Sequence, residues 1–225
     1  MPTLVTSYFL QSSVAGDTST LSTPSFTPAT GEVLVIKAVT WDTGTPAGTP
    51  SGGGQTYTRR SIVAPGGFNG YATIFTSVVL GLPGSMVVTL SAPAGNCYHS
   101  MVVERWTGVQ LAGTPATSSP GNGSGAPSAT VTTTAANSIV TWASMDENSR
   151  DPTGRVYVSG ATEDGIADGH TSVSSVHYYA YQNAAVAGSQ TIGMSTPSTQ
   201  AWVMTGIELQ AQVLPSPGAF MTFFE

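Results

Sequence analysis

The pattern of apolar and polar positions predicts strands along the whole chain. Its most apolar stretch is residues 31–41, Gly-Glu-Val-Leu-Val-Ile-Lys-Ala-Val-Thr-Trp. Its length, its β-branched residues and the turn-like residues 28–31 in front of it favour a strand over a buried helix. The alternation places Val33, Val35 and Val39 on one face and Leu34, Ile36 and Ala38 on the other. A strand that is apolar on both faces is predicted to lie in the middle of a sheet.

The strands predicted for the first half return in the same order in the second half. Residues 31–39 are echoed by 136–144, and residues 84–93 by 188–197. Alternating strands at 71–77 and 100–104 have counterparts at 177–181 and 201–205. Two copies are too few for a solenoid, which needs repeated stacking. The sequence therefore predicts an all-β fold: a two-sheet antiparallel, jelly-roll-like sandwich built from two pseudo-equivalent halves that each supply strands to both sheets.

The chain is predicted to form one domain followed by a short arm. The sandwich spans residues 1–213, with halves at about 1–110 and 127–213 joined by a crossover rich in Gly, Pro and Ser. Residues 214–225 begin with Pro215 and Pro217, which stop the preceding strand. We predict that this apolar arm docks on another chain by strand addition. Its interface residues would be Phe220, Met221, Phe223 and Phe224.

A second predicted interface lies on the central strand itself. Only one face of residues 32–40 can meet the core of a single sandwich. The opposite face would then be covered by another subunit. We therefore predict a homo-oligomer with Val33, Val35 and Val39 in its interface.

Charge is scarce in this chain and mostly negative. Charged residues make up 8% of the sequence, the net charge is −6, and Lys37 is the only lysine. This composition argues against nucleic-acid binding, which requires a basic surface. A neutral surface of Ser and Thr is typical of a particle-bound or extracellular protein that assembles. The N-terminus shows no signal-peptide pattern, and no apolar run is long enough to insert into a membrane.

Half of the acidic residues cluster in one part of the sequence. Six of the twelve acids lie between residues 146 and 168, in segments that we assign to loops flanking a strand around Val156. Convergent carboxylates can hold calcium, which takes six to eight oxygen ligands. Asp146, Asp164 and Asp168 are therefore candidate ligands of a structural calcium ion, and no other cofactor is expected. Solvated loop tips are the interpretation that the pattern favours, and a carboxylate pair for glycoside hydrolysis is a further alternative to the calcium site.

No sequence motif points to catalysis. His99, His170 and His177 lack metal-ligand spacing, and the chain has no nucleophile elbow, Walker loop or dinucleotide fingerprint. The abundance of serine leaves a Ser/His/Asp triad open, but we expect no catalytic residues. Cys97 is interpreted as a small apolar strand residue. Four tryptophans lie in or at the end of predicted strands, where core packing is favoured over sugar stacking: Trp41, Trp106, Trp142 and Trp202.

Four short motifs together resemble jelly-roll virion proteins of tailed bacteriophages, in particular the minor tail proteins of phages that infect actinobacteria. They are Gly31-Glu-Val-Leu-Val-Ile, Gly53-Gly-Gln-Thr-Tyr-Thr, Gly84-Ser-Met-Val-Val-Thr-Leu and Met101-Val-Val-Glu-Arg-Trp-Thr-Gly-Val. The likeness extends over most of the chain through Leu209. The matching positions are framework strands, so no ligand residues are carried over.

The resemblance implies a non-enzymatic structural or host-contacting role in a virion, commonly as a trimer. It implies synthesis in the host cytoplasm, contact with other virion proteins and a possible contact with a host cell-surface glycan. Two alternatives stay open: a capsid decoration protein, and a carbohydrate-binding β-sandwich module, which would need exposed aromatic platforms.

Overall fold

The structure, a computed structural model, describes residues 1–12, 19–41, 45–64, 70–93, 97–111, 116–121, 125–147, 154–158, 160–168, 175–199 and 201–212. These residues form sixteen strands: β1 (Thr3–Gln11), β2 (Leu21–Ser22), β3 (Val33–Trp41), β4 (Thr58–Val63), β5 (Gly70–Val78), β6 (Thr89–Leu90), β7 (Tyr98–Thr107), β8 (Val109–Leu111), β9 (Ala116–Gly121), β10 (Ser128–Thr133), β11 (Ser138–Glu147), β12 (Val156–Tyr157), β13 (Thr162–Asp168), β14 (Ser175–Ala184), β15 (Gly188–Thr196) and β16 (Ala201–Ala211). In the part of the chain that is described, no helix has the length and apolarity needed to cross a membrane.

The predicted all-β sandwich class is confirmed, with every strand pair antiparallel. The strands are distributed over four sheets, where the sequence pattern predicted two. One large sheet has the order β1-β7-β3-β5-β4, and the other has the order β13-β14-β11-β16-β8, with β9 also paired to β16. The small sheets are β2-β6 and β10-β15-β12.

The two halves repeat each other at the level of strand order. The central run β7-β3-β5 of the first large sheet corresponds to β16-β11-β14 of the second. Each half builds one large and one small sheet, and strands from the connection between the halves, β8 and β9, complete the second large sheet. The prediction that each half supplies strands to both sheets of one sandwich is therefore wrong for the described strands. The sequence repeat aligns residues 31–39 with 136–144, but the aligned residues do not occupy equivalent faces of their sheets. Leu34 faces the core of its own half, whereas its sequence counterpart Ile139 faces the other half.

The sheets stack in four layers. The outer face of the first large sheet, with Leu34, Ile36 and Ala38, packs on the segment that carries β2 and β6. The outer face of the second, with Val140 and Trp142, packs on β10 and β15. The inner faces of the two large sheets pack on each other and form two further core clusters. The middle of the molecule is therefore a contact between the halves.

The central position of residues 31–41 in a sheet is confirmed, but their predicted role in an oligomer is wrong. Strand β3 is hydrogen-bonded to β5 and β7 along its whole length. Val33, Val35 and Val39 are buried against side chains of the second half, among them Ile139 and Met145. The second half of the same chain covers this face, so no second subunit is needed there.

Three strands lie where the sequence pattern predicted loops. β8 and β9 fall at and within the predicted crossover and pair with β16. β13 contains Glu163, Asp164 and Asp168, and it pairs with β14 through a register shift between Glu163 and Gly165. Asp146 and Glu147 likewise belong to β11. Five of the six clustered acids are therefore strand residues, and Asp151 lies outside the described residues.

Charged side chains hold the turns in front of both central strands. Before β3, Arg105 donates from Nε to Glu32 at 2.9 Å. Before β11, the buried Glu208 accepts from the backbone N–H of Thr134 at 3.0 Å and from the hydroxyl of Ser138 at 2.7 Å. Arg105 lies on β7, the neighbour of β3, and Glu208 lies on β16, the neighbour of β11. Each tether therefore also fixes where the central strand begins relative to its neighbour.

Candidate functional site

Three charged side chains meet between the two large sheets: Lys37, Glu104 and Asp164, here called the buried charge cluster. Lys37 Nζ donates to Glu104 Oε1 at 2.9 Å, and to Asp164 Oδ1 and Oδ2 at 3.0 and 2.8 Å. The side chains are 0%, 0% and 2% exposed, respectively. Ions buried this deeply are stable only when they are paired and hydrogen-bonded. The only lysine of the chain is therefore enclosed by two carboxyl groups.

Strands from both halves position these groups. Lys37 lies in the middle of β3 on its inner face, between Val35 and Val39. Glu104 lies on the neighbouring β7, where it is the register partner of Val35. Asp164 comes from β13 of the second half, at the register shift of that strand. Such a bulge turns a side chain out of the regular alternation, and here it directs Asp164 towards Lys37.

A glycine permits the close approach of β13 to the first half. A Cβ atom on Gly165 would lie 2.8 Å from the side chains of both Phe9 and Val102. Phe9 belongs to β1 and Val102 to β7. Since Gly165 follows Asp164 directly, the absence of a side chain there helps to bring Asp164 within reach of Lys37.

Neighbouring side chains complete the hydrogen bonding of Glu104. Trp106 donates from Nε1 to Oε2 at 3.0 Å, and Thr141 donates its hydroxyl to the carboxylate at 3.0 Å. Lys37 Nζ also lies 5.9 Å from the centre of the Tyr179 ring, within the range of a cation–π contact. Glu104 thus has a donor for each oxygen, as a buried ionised carboxylate requires.

The pKa values of the two carboxyl groups of the cluster are shifted in opposite directions. Burial raises the pKa of Glu104, but the charge of Lys37 and the hydrogen bonds to Glu104 outweigh burial and hold that pKa below its usual value. Burial and the negative charge of Glu104 raise the pKa of Asp164 well above its usual value despite Lys37. The pKa of Lys37 is lowered by burial and raised more strongly by the two acids. Of the two carboxyl groups, Asp164 is therefore the one that binds a proton more readily, and its protonated form can donate to Glu104.

A second polar group lies beside the cluster in the same layer. Ser100 Oγ is 2.6 Å from His177 Nδ1 and 2.6 Å from the hydroxyl of Tyr179. All three residues are fully buried. Burial, together with nearby His99, lowers the pKa of His177 to about 3, so its ring is neutral. A Ser–His pair that no substrate can contact is a packing feature of the core and not a nucleophile.

The predicted calcium ligands do not converge. Asp164 faces Lys37 between the large sheets, whereas Asp146 lies on the opposite face of its sheet, where the Tyr178 hydroxyl donates to it at 2.9 Å. Asp168 is exposed, and its backbone carbonyl accepts from Tyr98. Among the described residues, no three His, Cys, Asp or Glu side chains are grouped closely enough to hold a metal ion. The predicted role of Asp164 as a calcium ligand is therefore replaced by a role as partner of Lys37, because both carboxyl oxygens of Asp164 accept from the Lys37 ammonium.

The remaining candidate residues divide into core residues and residues outside the described part of the chain. Trp106, Trp142 and Trp202 are buried, as predicted, and Trp41 is half-buried. Cys97 is a free, buried thiol. The arm residues lie outside the described residues: Phe220, Met221, Phe223 and Phe224.

The sequence pattern did not identify the buried charge cluster. A lone lysine within an apolar strand was its only local signal. Glu104 lies 67 residues further along the chain, on a predicted strand, whereas Asp164 lies 127 residues further along, on a strand that was interpreted as a loop.

Comparison with known proteins adds no relative. No protein-family model, no curated protein and no solved structure matches this chain.

Proposed function

We propose that this chain is a non-enzymatic structural component of a tailed-phage virion, a minor tail protein whose described strands form a rigid double sandwich. The observation that carries the proposal is the use of charge inside the fold. The buried charge cluster and the Arg105 and Glu208 tethers all engage charged side chains with other parts of the same chain. Charged side chains that are paired within the chain in this way hold a scaffold together and are not available to bind a substrate.

The four-layer arrangement supports the same role. Packing the halves on each other buries the inner faces of both large sheets in two core clusters. A tail component must keep its shape under mechanical load, and extensive packing between the described parts of the two halves restricts their relative movement. The resemblance of residues 31–36, 53–58, 84–90 and 101–109 to phage minor tail proteins supplies the virion context.

The described surface favours a structural role over a carbohydrate-binding module. Sugar-binding faces use exposed aromatic rings as platforms, whereas three of the four tryptophans are buried. A surface groove of about 340 Å³ runs beside β4, and residues of this groove include Gln55, Thr58, Arg60 and Leu80. None of the described residues that line the groove is aromatic.

The proposal is tested on purified phage particles. Peptide mass spectrometry of gradient-purified virions is expected to find this chain, and immunogold labelling is expected to place it on the tail. A replication protein of the same phage serves as the contamination control and should be absent. Labelling of the head would favour the capsid decoration alternative. Absence of the chain from particles in which the major tail protein is readily detected would overturn the proposal.

A further inference from the structure

The buried charge cluster brings an amine, a carboxylic acid and a carboxylate into contact. Lys37 Nζ lies 3.0 and 2.8 Å from the two oxygens of Asp164, which flank its carboxyl carbon, and 2.9 Å from Glu104 Oε1. Amide formation requires these three groups: a nucleophilic nitrogen, an electrophilic carbon and a group that moves protons. We infer that Lys37 and Asp164 form an intramolecular isopeptide bond, with Glu104 as the proton-transferring residue.

The reaction balances with the groups that are present. Glu104 takes one proton from the Lys37 ammonium and leaves a neutral amine with a free electron pair. The amine attacks Cγ of the protonated Asp164, so a C–N bond forms and the carbonyl electron pair moves to oxygen. When this pair returns, the C–O bond to the hydroxyl breaks, and the hydroxyl leaves as water with a second proton from the nitrogen. One amide and one water form, Glu104 ends protonated, and no oxidant, reductant or co-reactant is needed.

The surroundings favour each step. Burial and the charge of Glu104 raise the pKa of Asp164 and so favour its protonated form, and a neutral acid is a better electrophile than a carboxylate. Trp106 and Thr141 hold Glu104 in place beside Lys37. Fixing reacting groups in this way corresponds to effective concentrations on the order of 10⁵–10⁸ M. The site is closed to solvent, so the amide is protected from hydrolysis.

Burial also favours the product over the ion pair. An ammonium and a carboxylate in the interior retain a desolvation cost that their attraction only partly offsets. The reaction removes both charges and leaves an amide and a protonated Glu104. Because Asp164 lies on β13, the edge strand of its sheet, the released water has a short way to solvent.

The bond would connect the two halves covalently. Lys37 lies on β3 of the first large sheet and Asp164 on β13 of the second, 127 residues apart in the chain. It would hold the four layers together even when the noncovalent contacts between the large sheets are loosened. This chemistry depends only on the interior of the chain, so the test is independent of the proposed virion location.

Mass spectrometry of the denatured full-length protein tests the inference. We expect an intact mass lower than the sequence mass by one water molecule. Trypsin does not cut after an acylated lysine, and the sequence has no Lys or Arg after residue 155. Digestion should therefore release a branched peptide in which residues 1–59 are joined to residues 156–225, with fragment ions that place the link at Lys37 and Asp164.

Three variants assign the roles. Lys37→Met removes the nucleophile, Asp164→Ala removes the electrophile, and Glu104→Gln keeps the size of the side chain but cannot take the proton. Each variant should show its full sequence mass and no branched peptide. The loss of linkage in Glu104→Gln follows because proton transfer by a positioned group typically contributes a factor of about 10²–10⁴ in rate.

A second reaction that releases one water must be distinguished from isopeptide formation. Asp164 is followed by Gly165, and cyclisation of an Asp-Gly sequence to a succinimide also releases one water. A mass deficit that persists in Lys37→Met would assign the lost water to that reaction and overturn the inference. A wild-type protein at its full sequence mass without the branched peptide would overturn it as well. The wild-type peptide decides the question even if a variant does not fold.

Discussion

Lys37 shows how the few charged residues of this chain are used. Its ammonium lies in a closed interior between Glu104 and Asp164, and its stem packs among valines of β3. Buried polar groups restrict how elements can pack, because any shift leaves a donor or acceptor without a partner. The pairing of Lys37 with Asp164 therefore selects one position of β13 relative to β3, which apolar contacts alone would fix less sharply.

Asp146 gives the molecule a pH dependence that can be measured. Burial raises its pKa from 3.8 to about 7. The unfolded chain releases this proton near pH 4, whereas the folded protein retains it until about pH 7. The free energy of unfolding therefore falls as the pH rises between these values, by about 1.4 kcal/mol per pKa unit and about 4 kcal/mol in all.

Asp146→Asn should remove this dependence while keeping an acceptor for the Tyr178 hydroxyl. The free energy of unfolding, from urea titrations, should rise in the variant relative to the wild type between pH 4 and pH 8. The free energy of unfolding of the variant must be compared with that of the wild type at each pH, because His177 gives stability a pH dependence of the opposite sign. Because the pKa of His177 is about 3 in the folded protein, this side chain is protonated only in the unfolded chain between pH 3 and 6.5. The contribution of His177 to stability is therefore lost on acidification. Parallel pH profiles for variant and wild type would contradict the assignment to Asp146.

At the scale of elements, Gly206 sets the contact between β16, β11 and the small sheet of the second half. It is the register partner of Trp142. A Cβ atom there would lie 2.5 Å from Cδ1 of Ile192 and 3.3 Å from Cβ of Trp142. The absence of a side chain on Gly206 therefore lets β15 approach the sheet closely.

Gly206→Ala should destabilise the protein, because the new methyl group displaces Ile192. Overpacking costs about 1–3 kcal/mol, whereas the lower entropy of the unfolded chain returns about 0.4–1 kcal/mol. Denaturant unfolding should therefore show a net loss. Ile192→Val removes Cδ1 and should restore part of that loss in the double variant.

Gly84→Ala is the matched control for this substitution. No heavy atom lies within 4 Å of the Cβ position at Gly84. We expect its free energy of unfolding to be unchanged or raised by up to about 1 kcal/mol. Equal losses for Gly206→Ala and Gly84→Ala would show that the contact with Ile192 is not the cause.

At the scale of the whole molecule, the halves depend on each other. The inner face of the first large sheet carries Val33, Val35, Ile74 and Trp106, and residues of the second half, among them Ile139, Ile207 and Leu209, pack over them. An exposed apolar surface of this kind leads to aggregation. Neither half is therefore expected to be a stable protein alone.

Cutting the chain between Gly121 and Gly125 tests this dependence. Fragments 1–121 and 125–225 should each aggregate when produced alone and should form a one-to-one complex when produced together, as measured by size-exclusion chromatography with light scattering. Two soluble, cooperatively folding fragments would show that the halves are separate domains. Because Lys37 and Asp164 lie in different fragments, an isopeptide bond would make the complex resistant to boiling in detergent, and Asp164→Ala in the second fragment would abolish that resistance.

The sequence by itself determined the class of fold and the strands that run through its centre. Alternation, β-branched residues and turn residues act over a few neighbours, so residues 31–41 and the repeated strand order could be recognised from local pattern. The same pattern correctly indicated that Trp106 and Trp142 pack in the core.

Only the tertiary structure decided what covers the central strand and where the charges meet. Val33, Val35 and Val39 have the same pattern whether a second subunit or a second half lies over them, because apolar contacts are not directional. Asp164 lies in a polar segment that is typical of a loop, Glu163-Asp-Gly-Ile-Ala-Asp-Gly. This segment forms strand β13 because its backbone is hydrogen-bonded to β14. The bulge at Asp164 then turns its side chain towards Lys37, 127 residues away in the chain. No local pattern encodes a contact that two sheets create by packing together.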